Sequence, residues 1–265
     1  MAGYEIVDVA VAPQDVLEAN LTKKVAAIIS KDPYEMRLLL AGEIPRIIAH
    51  YHSMQTAESI AQSLRDLGLV VIVCKDSELR KPSQSFMAHT LELRDEEVLF
   101  WDRGGQVRRI DSRDAFLIIK GKIRTYIETK LTKNRMKFSL AGTLLSGGIP
   151  IWRKVKEETK EVSRKADSFL RLYERKSAEP SVQMFQYDMD YSFLGTKMAS
   201  SPLINFNTLV TQLREVFPQT IFDDRLAKRF GADVSSAKIS ADLEVNCKLI
   251  YLYHLNTISP NPSQA

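Results

Sequence analysis

The residues with the most chemical potential are carboxylates. Glu174, Lys176, Asp188 and Asp190 fall close together in the chain, the two aspartates within the phrase YDMDY, and Asp223-Asp224 forms a second acidic pair. Hard oxygen ligands match the octahedral demand of Mg²⁺. If Glu174, Asp188 and Asp190 converged beside Lys176, they would suit a metal-dependent phosphodiester hydrolase. Their spacing follows no established pattern, and a simpler reading accounts for them. Asp188 and Asp190 alternate onto an outward sheet face, and Asp223-Asp224 caps a short helix from Arg225 to Phe230. His50 and His52 would share one side of a strand, as two metal ligands might be placed. No third ligand accompanies them locally, and zinc needs three or four. Cys74 ends an apolar run and reads as a small core residue. GxSxG, HExxH, DFG and CxxC are all absent. Ser146-Gly147-Gly148 lacks the spacing of a phosphate loop. The sequence therefore implies no metal and no cofactor, and a protein without a catalytic set.

Charge is the uneven feature. The 265 residues carry 37 basic and 33 acidic side chains, a net of +4. Lys120–Lys165 holds 13 basic and 4 acidic residues, or +9, so the remainder holds 24 and 29, or −5. Within this segment Lys130, Lys133, Arg135 and Lys137 precede the apolar run FSLAGTLLSGGIPIW, and Arg153, Lys154 and Lys156 follow it. The run is too short to cross a bilayer, and its glycines and Pro150 interrupt any long amphipathic helix. Leu140, Leu144, Leu145, Ile149, Ile151 and Trp152 are apolar residues that would be costly to leave exposed together. The candidate partner-binding set is thus Lys130, Lys133, Arg135, Lys137, Leu144, Leu145, Trp152, Arg153 and Lys154. A solvated basic surface, a loop buried under a sheet, a flexible flap, a partner-docking element, a membrane-interface segment and a nucleic-acid contact all remain open for it.

These residues must be held by ordinary globular elements, since 45% hydrophobic and 26% charged residues are average values. Two distant cysteines and no signal peptide imply a cytoplasmic protein. From the N-terminus, YEIVDVAV reads as a strand. Two short helices follow, divided at Asp32-Pro33, with Asp32 as N-cap and Gly42 as the stop. A strand at Ile44–Ala49 comes next, then a helix capped by Ser53 with a stripe of Ala57, Ile60, Ala61, Leu64 and Leu67. Gly68 closes that helix, and LVVIVC reads as a strand buried on both sides. The order is β-α-α-β-α-β. With Lys23-Lys24-Val25, Glu35, Arg37, Pro45, Ser53, Ala57-Glu58 and Leu67-Gly68, residues 22–75 resemble the C-terminal domain of the bacterial ribosomal stalk protein, a fold shared by Clp protease adaptors. Asp32-Pro33-Tyr34 replaces that family's Gly-Leu-Lys, so its factor-binding lysine is missing at Tyr34. The resemblance implies a small domain that docks another protein.

Asp76–Ser85 reads as a linker. Strands follow at His89–Leu93, Val98–Trp101, Gln106–Ile110, Ala115–Ile119 and Lys122–Ile127, with Asp102-Arg103-Gly104-Gly105 as a hairpin turn. A second hairpin joins Phe169–Glu174 to Val182–Tyr187. An amphipathic helix, Asn205–Phe217, ends at Pro218. A strand meander closed by one helix, including the phrase Arg109–Leu117, resembles the bacterial pleckstrin-homology superfold over residues 86–218. Lipid-binding members place basic residues at the first hairpin loop, where this chain has the acidic Arg94-Asp95-Glu96-Glu97. Ser240–Leu255 alternates as a strand would at Leu243, Val245, Cys247, Leu249 and Tyr251 and equally suits a helix, which its Ala241, Leu243, Glu244, Lys248 and Leu249 favour. The expected architecture is α+β. It comprises a stalk-like domain at 1–78, a pleckstrin-homology-like domain at 86–220 with an insertion at 130–165, and a helical extension at 221–265. The expected function is an adaptor with a protein partner. A metal-dependent phosphodiester hydrolase, or membrane contact through the basic insertion, is the alternative.

Overall fold

In the computed structural model, residues 5–14, 16–138, 147, 152–228 and 236–258 are described, with backbone alone for 124–138, 152–165 and 236–241. Mixed helices and sheets make the protein α+β. Strand β1 (Val7–Val11) is buried at every position because it is the middle of a three-stranded sheet. β2 (Arg46–Tyr51) and β3 (Val71–Lys75) flank it, both antiparallel. Between β1 and β2 lie α1 (Ala19–Ile29) and α2 (Pro33–Leu40). The Asp32 carboxylate accepts from the Tyr34 and Glu35 N–H groups at 2.8 and 3.3 Å, so the break between the two helices is fixed by a cap and a proline. α2 ends at Leu40 through an Ala41 N–H bond to Arg37, and Gly42 takes no left-handed φ. The expected glycine stop is corrected to that extent. α3 (Met54–Arg65) is capped by Ser53 and followed by Gly68 at φ 84°, a conformation that glycine adopts without steric cost. Val7, Val9, Val25, Met36, Ile48, Ala57, Ala61 and Leu64 form the core on one face of this sheet.

Residues 76–80 are not linker. They form α4 (Asp76–Arg80), which buries Leu79 against the opposite face of the same sheet. The polar phrase DSELR hides this, because a single apolar residue per turn gives no periodicity to read.

Two further sheets follow. β5 (Thr90–Leu93), β6 (Glu97–Trp101) and β7 (Val107–Asp111) form an antiparallel meander. The other sheet has five strands in the order β11-β8-β9-β10-β4. Its long members are β8 (Ala115–Phe138) and β9 (Trp152–Glu174). β10 (Val182–Phe185) pairs antiparallel with β9, Phe169 opposite Phe185. Both edges are parallel: β4 (Phe86–Met87) beside β10, and β11 (Ile221–Asp223) beside β8. The stretch 221–265 is therefore not a purely helical extension, since its first residues complete this sheet. Within Ala115–Ile119 and Phe169–Tyr173 every residue is buried. Ile118, Leu170 and Leu172 meet Phe206, Leu209 and Leu213 of α5 (Pro202–Val216). Leu117, Ile119, Phe169 and Tyr173 face the other way.

What they face is the last helix, α7 (Ser236–Ile258), which follows the short α6 (Arg225–Lys228). Cys247, Ile250 and Tyr251 join the five-stranded sheet, whereas Val245 and Leu249 join Ala10, Ile72 and Leu79 of the N-terminal sheet. A helix held between two sheets must be apolar on two sides. That is why Ser240–Leu255 reads equally as an alternating strand or a helix.

The chain divides into two compact units, residues Met1–Ile123 with Asp167–Ala265, and Arg124–Ala166. The expected insertion at 130–165 is thereby redrawn. Its flanks are strand residues of β8 and β9, not a helix or a loose loop, and the unit begins at Arg124. Among the described residues no helix is long and apolar enough to cross a membrane.

Candidate docking site

Strand backbone positions the proposed partner-binding residues. Lys130, Lys133, Arg135 and Lys137 occupy β8, and Trp152, Arg153 and Lys154 open β9. Leu144 and Leu145, also expected at this site, lie outside the described residues. Strand periodicity puts residues 133, 135 and 137 on one side of β8, and 154, 156, 160 and 164 on one side of β9. Over Arg124–Ala166 there are 11 basic and 4 acidic residues, a net of +7. A concentration of one sign at this level attracts anionic partners over roughly a Debye length, about 8–10 Å in ordinary salt.

The carboxylates with catalytic potential each have a different partner. Glu174 accepts a hydrogen bond from Arg108 at 2.9 Å and another from Ser181. Asp188 pairs with Arg103 at 3.2 Å. Asp190 accepts from the Ser192 N–H and hydroxyl, both at 3.0 Å. Asp188 and Asp190 sit in the turn after β10 and not on an outward sheet face, and Lys176 is exposed in the turn after β9. No group of three His, Cys, Asp or Glu residues able to hold a metal ion occurs among the described residues.

His50 Nδ1 bonds the fully buried Asp8 carboxylate, its cross-strand neighbour, at 2.6 Å. Burial pushes the Asp8 pKa up against the pull of His50. On the opposite side of Asp8, Cys74 has its thiol pushed up to about 12, first by burial and then by the Asp8 charge. Cys247, wholly buried on α7, is pushed up to about 11 by burial. A thiol must ionise to attack, and burial disfavours that at both cysteines.

Sequence reasoning missed a set of buried polar clamps that fix α7. Glu244 accepts two hydrogen bonds from the buried Arg171 of β9, one at 3.0 Å, and a third from Ser83 at 2.5 Å. Burial works to raise the Glu244 pKa, but the bonds from Arg171 and Ser83 outweigh it and leave the group below its ordinary value. One turn later, Lys248 Nζ donates to the Glu78 and Lys81 carbonyls at 2.9 and 2.6 Å, capping α4. The Tyr251 hydroxyl donates to the Arg175 carbonyl at 2.7 Å. His254 Nε2 meets Asp223 at 2.8 Å, and Arg225 grips the same carboxylate. Burial opposes ionisation of Asp223, yet His254 and Arg225 hold its pKa well below the usual carboxylate range. Asp223 also accepts from the Arg225 N–H at 3.0 Å, at the start of α6; the expected end of that helix, Phe230, lies outside the described residues. The i, i+4 spacing of Glu244 and Lys248 was the only sequence signal for these clamps, and it resembles any charged helix face.

Compared with protein-family models, curated proteins and solved structures, the chain matches none.

Proposed function

We propose that this chain is a non-enzymatic docking protein, an adaptor whose partner-binding element is Arg124–Ala166. The observation that carries this reading is the charge of the smaller compact unit. Arg124–Ala166 holds 11 basic and 4 acidic residues, a net of +7, whereas the rest of the chain holds 26 and 29, a net of −3. The resemblance of residues 22–75 to the stalk and Clp-adaptor fold supports the same class of function, as does the pleckstrin-homology-like pattern of 86–218. Fold-level likeness is an analogy and assigns no partner. A reducing compartment, in keeping with two free thiols, fits a cytoplasmic adaptor.

The test is deletion of Ser139–Pro150, replaced by a short Gly-Ser linker. The expected result is a thermal midpoint close to that of the intact chain, with partner capture or self-association lost. If this stretch were core, each buried Leu or Ile would be missed by roughly 1.5–3 kcal/mol, and the midpoint would collapse. A stable deletion with unaltered association would refute the docking role.

A further inference from the structure

Within the docking unit the positive charge is graded along the strands. β8 ends at Phe138 and β9 begins at Trp152, so an aromatic residue stands at each of the two strand ends that the intervening connection joins. The connection, residues 139–151, carries no charged side chain. Next to the aromatic ends, residues 133–138 and 152–156 hold six basic residues (Lys133, Arg135, Lys137, Arg153, Lys154 and Lys156) and no acidic one. The distal parts, 124–132 and 157–166, hold five basic and four acidic residues, a net of only +1. Of the +7, therefore, +6 falls in the sequence immediately flanking the uncharged connection.

This order of uncharged segment, aromatic pair, basic band and near-neutral stem follows the layers of a membrane surface. Trp and other aromatics settle at the level of the headgroups, and Lys and Arg are drawn to anionic lipid just outside it. The dimensions agree. A strand rises about 3.3 Å per residue, so Lys133 and Lys156 lie within roughly 17 Å of the aromatic ends along their strands. A headgroup layer of about 5–8 Å plus a Debye length of about 8 Å spans a similar depth. A nucleic-acid duplex would gain from basic residues anywhere along the strands. It would be repelled by Glu128, Glu157, Glu158 and Glu161, and would give the aromatic ends and uncharged connection no role.

We infer that the connection-proximal ends of β8 and β9 dock onto an anionic phospholipid bilayer surface, with Phe138 and Trp152 at headgroup level and the six flanking basic residues held by lipid charge. This rests on the reading of Arg124–Ala166 as the docking unit and names the partner of that unit.

The experiment uses the full chain carrying Trp101→Phe, which leaves Trp152 the sole tryptophan of the two present. Folding is checked by circular dichroism. Binding is measured by flotation on vesicles of phosphatidylcholine with and without phosphatidylserine, and Trp152 emission is followed with bromine-labelled lipid as quencher. The expected result is binding to the serine-containing vesicles alone, weakened by high salt, with blue-shifted and quenched Trp152 emission. Replacing Lys133, Arg135 and Lys137 together by glutamine should weaken it roughly a hundredfold, at about fivefold per basic residue near the surface. Absence of vesicle binding, equal binding to neutral vesicles, or salt-sensitive binding to duplex DNA in its place would overturn the inference while leaving the docking unit to its own deletion test. Vesicle binding that survives removal of 124–166 would overturn both.

Discussion

Replacing Arg171 by methionine should destabilise the protein by about 3–5 kcal/mol, the cost of leaving one partner of a buried ion pair without the other. Arg171 is 2% exposed and makes two hydrogen bonds to Glu244, so its loss leaves a carboxylate between β9 and α7 with only Ser83 to satisfy it. For a unit of this size, roughly 2–4 °C of midpoint is lost per kcal/mol, giving a fall of about 6–20 °C in a thermal melt. The variant carries its own control in pH. In the intact protein the folded-state pKa of Glu244 is lowered, so the pair contributes stability above the unfolded carboxylate pKa and loses it as pH falls through the folded one. In Arg171→Met the remaining carboxylate is half-buried without its cation and its pKa should rise above the unfolded value. Its penalty is then largest near neutrality and shrinks on acidification. The gap between variant and parent should narrow from pH 7 toward pH 4. Adding Glu244→Leu should recover most of the loss, because apolar replacement of a whole buried pair is often neutral. A constant gap with pH, or no recovery in the double variant, would show that α7 is held by apolar packing alone.

Gly121→Ala should be the most damaging single-methyl addition in the five-stranded sheet. A Cβ built there would overlap the ring edge of Phe169 and lie 3.1 Å from Cβ of Leu226. Phe169 is fully buried beside Phe185 at a ring separation of 6.5 Å, so it has little room to retreat. Overpacking of this kind costs typically about 1–3 kcal/mol. Phe169→Leu in the same chain should restore part of it by vacating the space. A Gly121→Ala protein melting with the parent would mean that this part of β8 yields readily.

Gly121 also shows where the sequence stops being informative. It divides Ala115–Ile119 from Lys122–Ile127 in any pattern reading, yet β8 runs through it unbroken, because the glycine makes room for an aromatic ring and does not end the strand. The outer part of β9 was invisible for a related reason. Residues 152–165 are too rich in charge to alternate between core and solvent, and that alternation is what marks a strand. By contrast, the break between α1 and α2 was legible from Asp32-Pro33, α3 from its stripe and Ser53, and α5 from Phe206, Leu209 and Leu213. Each of these rests on local spacing. The clamps on α7 join residues far apart in the chain, 73 positions in the case of Arg171 and Glu244, and no local rule connects them. β11, three residues long and parallel to a strand more than a hundred positions earlier, is hidden in the same way. Of the candidate docking site, the charge and Trp152 were legible, but the strands that set their order along one element were not.

The most direct measurement joins Ile123 to Asp167 through a short Gly-Ser turn, removing the whole of the smaller unit, and follows both the thermal transition and association of the remaining chain. The clusters built around β1, α5 and α7 lie outside the removed residues. The docking account predicts one cooperative transition within a few degrees of the parent, with capture of its partner surface abolished. An unfolded chain, or a folded one that still associates as the parent does, would contradict it.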